Sequence, residues 1–213
     1  MFEQKPFDSV ISEDIYIVID PAAGGPSSDY AFVTFTRLRG QVRVIGAEIL
    51  SGCKDPQKQF DLVADHIRRL RMLTHWRNSR IVIYVERNLG HEAEHHRHAL
   101  KDLAGVFFRE DPKNGRVGLL TTNDIKHGMA TILNIMLREQ RICMLPEDQM
   151  ICINAKEFIL KLKEQMNVYS YQFKEAKDTF ASGRVALSGK VGATNPLYNP
   201  TRKSIITRII TTN

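Results

Sequence analysis

The chain has 213 residues, enough for one substantial core, and the sequence reads as a single domain over 15–213 with an N-terminal extension over 1–14. Hydrophobic residues make up 43% and charged residues 25%, and no run approaches the roughly 18 apolar residues of a membrane span, so a membrane protein is not expected. A net charge of +6 and a pI near 9.3 suit a polyanionic partner, while three widely spaced cysteines, Cys53, Cys143 and Cys152, offer neither a disulfide framework nor a thiolate zinc site and point to a reducing compartment.

The first element is the β-branched run Ile15-Tyr-Ile-Val-Ile19, a buried strand delivering Asp20 into the turn-rich stretch Asp20-Pro-Ala-Ala-Gly-Gly-Pro-Ser-Ser28. Ala31 to Leu38 and Val42 to Leu50 follow, separated by Arg39-Gly40, and predict a β-hairpin whose second strand shifts its alternation at Ile45. From Asp55 to about Trp76, Phe60, Val63, Ile67, Leu70 and Leu73 recur at helical spacing, and Lys58, Arg68, Arg69, Arg71 and Arg77 make the other face, a solvated surface or, alternatively, a phosphate-contacting stripe. Arg80-Ile-Val-Ile-Tyr-Val-Glu86 then repeats the first pattern, an apolar strand closing on an acid.

Beyond Glu86 the sequence predicts a helix over His91 to Leu103 and short strands at Val106 to Arg109 and Val117 to Leu120. A helix follows, capped by Asn123 or Asp124 and running to Arg138 with Ile132, Ile135 and Met136 inward. Arg141 to Leu145 reads as a strand and Asn154 to Met166 as a helix. Tyr169 to Lys174 and Gly183 to Leu187 read as a hairpin, and Arg202 to Ile210 as a last short helix. The order implies an α/β fold, a mixed central sheet flanked by helices.

Two similar strands that both end in an acid bring those acids to one sheet edge if the strands run parallel as neighbours. Asp20 and Glu86 would then form a site for magnesium or manganese, which take oxygen ligands and in pairs promote phosphodiester hydrolysis. The plainer reading is that an acid after a strand caps a turn. Asp29, just ahead of the hairpin, is a further possible ligand or a turn residue. A competing motif is His91-Glu92-Ala-Glu-His95, which matches the H-E-x-x-H of zinc peptidases. The charged residues around it, Glu94, His96, Arg97 and His98, suit an exposed helix better than a buried metal site.

With these residues in view, the chain resembles the C-terminal nuclease domain of the terminase large subunit, the DNA-packaging motor of tailed phages and herpesviruses. The resemblance is carried by Ile17-Val-Ile-Asp-Pro-Ala-Ala-Gly-Gly25 with Ser28-Asp-Tyr30, by Ile83-Tyr-Val-Glu-Arg-Asn88, by Thr122-Asn-Asp-Ile-Lys126, and by Ser188-Gly-Lys190. It implies an RNase H-like fold and a two-ion, magnesium- or manganese-dependent endonuclease that cuts concatemeric viral DNA. Asp20 and Glu86 match the family's first two acids. The third falls at Asn195, followed by Pro196, where the family has acids, so a distant acid such as Asp178 substitutes, the C-terminus is altered, or catalysis is weakened or lost.

Lys126, Lys190 and Arg87 are the expected DNA contacts, with double-stranded DNA, other terminase subunits and the capsid portal as partners. The location implied is intracellular, the host nucleus if herpesvirus-like and the host cytoplasm if phage-like. No G-x-x-x-x-G-K-[ST] loop is present, so ATP hydrolysis is not expected of this polypeptide. The alternatives are a DNA-binding or assembly module that has lost a ligand and, from a different class, a zinc peptidase.

Overall fold

A computed structural model describes residues 3–4, 14–21, 29–38, 40–87, 91–112 and 114–162. The strands are β1 (Glu3–Gln4), β2 (Ile15–Asp20), β3 (Tyr30–Leu38), β4 (Gln41–Leu50), β5 (Ile81–Val85), β6 (Val106–Phe108) and β7 (Ile142–Met144). The helices are α1 (Pro56–Met72), α2 (Glu92–Leu100) and α3 (Asn123–Arg138), and residues 155–162 are also helical. Among the described residues the strands form one sheet in the order β1-β7-β4-β3-β2-β5-β6.

The centre of the sheet is the antiparallel meander β2-β3-β4, and β5 joins the free edge of β2 in parallel, with α1 as the crossover. Such a connection needs a chain reversal long enough to carry a helix back along the sheet, which α1 supplies. The N-cap of α1 is Asp55, whose carboxylate accepts from the Gln57 amide at 3.0 Å ahead of Pro56 in the first turn. Glu3 and Gln4, placed by sequence in an extension, pair parallel with Cys143 and Met144 at the sheet edge.

Side chains alternate across each strand and so define two cores. On one face Ile15, Ile17 and Ile19 of β2 and Ile81, Ile83 and Val85 of β5 pack with Val63, Ile67 and Leu70 of α1 and Ala93 and Leu100 of α2. On the other, Val18, Val82 and Tyr84 pack with Leu133 of α3 and with Phe158, Ile159 and Leu162. The shift of alternation at Ile45 is a β-bulge: Thr34 pairs with Gly46 and Phe35 with Val44, leaving Ile45 as the extra residue. Gly46 is then crowded from outside, where a β-carbon would fall 2.5 Å from the Ile151 carbonyl oxygen and 2.8 Å from the His66 ring.

Several local expectations are corrected. Ile132 and Ile135 of α3 are exposed, and the buried stripe is Met129 and Leu133 with Met136 and Leu137 alongside, because the helix meets the sheet about one residue round from the face that its isoleucines suggest. Leu73 is exposed because it is the C-cap of α1 rather than part of its stripe. Val117 to Leu120 forms isolated bridges instead of a strand, and the cap of α3 is Thr122, whose hydroxyl accepts from the Ile125 amide. The predicted hairpin over 169–187 and helix over 202–210 lie outside the described residues.

The basic face of α1 is less solvated than its pattern suggests. Arg71 donates to the carbonyls of Trp76, Arg77, Ser79 and Ala104 at 2.5 to 3.1 Å, tying the end of α1 to the turn before β5 and to the loop before β6. Arg69 bonds Glu48 at 2.5 Å. Burial raises the Glu48 carboxyl, but the hydrogen bonds and charge of Arg69 and the Ile153 amide outweigh it, so the group sits below its ordinary range. His66 Nδ1 stands 3.9 Å from Glu48, beyond hydrogen-bond reach, and its other nitrogen meets the Thr34 hydroxyl at 2.8 Å.

Candidate active site

The two acid-terminated strands are parallel neighbours. Their register runs from Ile15 opposite Ile81 to Ile19 opposite Val85, which sets Asp20 beside Glu86 at the strands' C-terminal ends. The Glu86 amide donates to the Ile19 carbonyl at 3.0 Å, so the pairing continues to the acids themselves. Adjacent strands lie about 4.8 Å apart, and side chains in register on parallel strands share a face. With Ile19 and Val85 turned toward α1 and α2, Asp20 and Glu86 turn toward the α3 side.

A third segment closes the site from the other flank of Glu86. The Leu119 amide donates to the Val85 carbonyl at 2.8 Å, and the Arg87 amide donates to the Leu119 carbonyl at 2.9 Å, so Glu86 lies between β2 and residues 117–121. Gly118 makes that approach possible: its φ is +88°, and a β-carbon there would fall 2.7 Å from Ala93 Cβ and 2.9 Å from the Val85 carbonyl. Three residues on, the Thr121 hydroxyl donates a hydrogen bond to Glu86 Oε1. Asp20 is 6% exposed, a low figure for a carboxylate that sequence reading would assign to a turn.

The remaining predicted residues are distributed unevenly. Asp29 is exposed and precedes β3 at the end of the sheet that carries Asp20. Arg87 is largely covered, with Nη2 3.6 Å from Asp111 and Nη1 buried without a hydrogen-bond partner among the described residues. That is not the open guanidinium expected of a surface phosphate contact. Lys126 belongs to the first turns of α3. Asp178, Lys190 and Asn195 lie outside the described residues. Thr121 and Gly118 were not singled out from sequence; the signal available was the glycine and two threonines ahead of a helix, which reads locally as a turn and a cap.

The His91 and His95 rings of the H-E-x-x-H match stand 6.4 Å apart, at the exposed start of α2. His91 is the N-cap of α2, outside helical geometry at φ −98° and ψ 9°, and both it and His95 are exposed. The buried imidazole of α2 is His96. Its Nδ1 lies 2.7 Å from the Glu92 carbonyl, which can only accept, so Nδ1 carries the proton and Nε2 accepts from the Tyr30 hydroxyl at 3.0 Å. Burial lowers the His96 pKa to about 4. Among the described residues no group of three or more His, Cys, Asp or Glu is arranged to hold a metal ion, which leaves the zinc reading without a third ligand and the Asp20–Glu86 pair as the one the sheet brings together.

Two carboxylates side by side at a sheet end fit a hard divalent cation, since magnesium and manganese bind through one or two carboxylates with water and substrate phosphate completing the sphere. The architecture is the α/β, RNase H-like fold, a mixed sheet with helices on both faces. In sequence the chain matches no protein-family model and no curated protein. In structure it is similar to the human cytomegalovirus terminase nuclease domain. A manganese-soaked form aligns with TM-score 0.58 at 18% identity over 73% of this chain and 75% of that one. A manganese-soaked, inhibitor-bound form gives 0.57 at 16% identity over 72% and 73%. At such identity the likeness establishes the fold. No described helix is long and apolar enough to cross a membrane.

Proposed function

We propose that this chain is a metal-dependent DNA endonuclease domain of the terminase large-subunit type, acting on duplex DNA inside the infected cell together with other terminase subunits and the capsid portal. The observation that carries the reading is the registered pair Asp20 and Glu86, buried and half-buried at the ends of adjacent parallel strands, on a fold shared with the cytomegalovirus terminase nuclease domain. Hydrolysis of a phosphodiester needs negative charge neutralised on the phosphate and a nucleophilic water held in line. Magnesium or manganese, when bound, supplies that positive charge and acidifies water.

Asp20 and Glu86 would hold the ion, both from strand ends that the sheet keeps rigid. Asp29, Asp178 or the neutral oxygen of Asn195 would complete a second ion's ligands. Lys126, Lys190 and the remaining basic surface would hold the DNA backbone, with little sequence preference because phosphate contacts carry no base information.

A second reading has one observation in its favour: no third acid joins the pair among the described residues, and Asn195 with Pro196 stands where the family has acids. A chain that bound DNA without cutting it would fit that feature. Incubating purified protein with supercoiled plasmid separates the two. The nuclease reading expects nicking with manganese, none with EDTA, and a loss of more than about 100-fold in Asp20→Asn or Glu86→Gln, variants whose melting shows them folded. Binding without cleavage at any manganese concentration would establish the assembly-module reading instead.

A further inference from the structure

We infer that Thr121 is a positioning residue for the cation site, setting the orientation of the Glu86 carboxylate through its hydroxyl; the inference rests on the nuclease reading of Asp20 and Glu86. Glu86 stands just beyond the last residue of β5, where its backbone is held on both sides, by Ile19 on β2 and by Leu119 on the returning segment. The backbone is therefore fixed while the carboxylate still has its side-chain torsions. A hydrogen bond to one carboxylate oxygen removes that freedom, and Thr121 donates it to Oε1.

Its hydroxyl reaches Glu86 because the segment is locked upstream and downstream. Gly118 allows the close approach to Val85, the two amide bonds around Glu86 set the register at Leu119, and Thr122 begins α3 as its cap. Position 121 thus has little room to drift. A β-branched side chain also has few χ1 rotamers, so the hydroxyl is presented with little entropic cost. Groups that hydrogen-bond a ligating carboxylate change metal affinity or activity by about 10–100-fold when removed.

The experiment measures manganese binding and DNA cleavage in parallel on the full chain. Free manganese is titrated by electron paramagnetic resonance for wild type, Thr121→Val, Thr121→Ala, Thr121→Ser, Glu86→Gln and Asp20→Asn, with melting of each metal-free protein recorded. The expected result is a manganese dissociation constant raised about 10–100-fold in Thr121→Val and Thr121→Ala, restoration in Thr121→Ser, and kcat reduced more than KM for DNA. Wild-type manganese affinity in both Thr121→Val and Thr121→Ala, alongside weakened binding in Glu86→Gln, overturns the role of Thr121 while leaving the nuclease reading intact. If Asp20→Asn and Glu86→Gln bind manganese as wild type does, the nuclease reading fails first and this inference falls with it.

Discussion

Gly118 lies so near the Val85 carbonyl that an added β-carbon would sit 2.9 Å from its oxygen, and its φ of +88° is one that L side chains rarely adopt. Both constraints act on the same turn. Gly118→Ala is expected to destabilise the fold by about 1–3 kcal/mol, from strain and from the forced shift against Ala93. Because that turn carries Thr121 to Glu86, cleavage should fall further than the loss of folded protein explains. Urea unfolding and plasmid nicking on the same preparation check this; a variant as stable and active as wild type would show that the approach is looser than described.

His96 makes stability depend on pH. Its pKa, about 4 when folded against 6.5 unfolded, is lowered by burial, so the folded state favours the neutral ring. Above pH 6.5 this ring has no cost from protonation. As pH falls from 6.5 toward 4 the unfolded chain takes up the proton first, and about 3 kcal/mol of stability is lost across that window. His66, also lowered by burial, acts in the same direction, and the lowered Glu48 carboxyl adds a loss in the more acidic range. His96→Gln should therefore flatten, though not abolish, the decline in urea midpoint between pH 7 and pH 5. An unchanged slope would mean that the ring is not buried against Tyr30.

Arg71 spans four carbonyls with one planar guanidinium, a geometry that a lysine ammonium cannot reproduce. Arg71→Met and Arg71→Lys are both expected to lower stability by about 1–3 kcal/mol, the partial exposure of the side chain keeping the figure well below the sum of four charged hydrogen bonds. The measurement is the shift in melting midpoint. Full retention in Arg71→Lys would show that charge, not the fork, matters.

Binding of duplex DNA is expected to weaken steeply with salt, because a chain of net charge +6 that contacts phosphates releases counterions. Fluorescence anisotropy with a short duplex should show at least about a tenfold loss between 50 and 200 mM salt. Affinity that ignores salt would argue against a phosphate-led contact and for a different partner.

Much of this architecture is written locally. The two apolar runs ending at Asp20 and Glu86, the hairpin over β3 and β4, and the apolar spacing of α1 each follow from a period or a turn signal confined to a few residues. Even the bulge at Ile45 appears as a break in alternation. Helix faces were less legible: Ile132 and Ile135 match the helical period as well as Met129 and Leu133 do, and only the angle at which α3 meets the sheet chooses between them.

The sequence by itself determined that two strands would end in carboxylates and that a helix between them would permit parallel pairing. Tertiary structure alone decided that Thr121 meets Glu86, that Arg69 and His66 face Glu48, that Arg71 binds four carbonyls, and that His96, rather than His91 or His95, is the buried histidine of α2. The reason is physical: periodicity reports which face of an element is apolar, whereas partners distant along the chain are chosen by sheet register and by the close approach of backbone at positions such as Gly46 and Gly118, quantities that no local window contains.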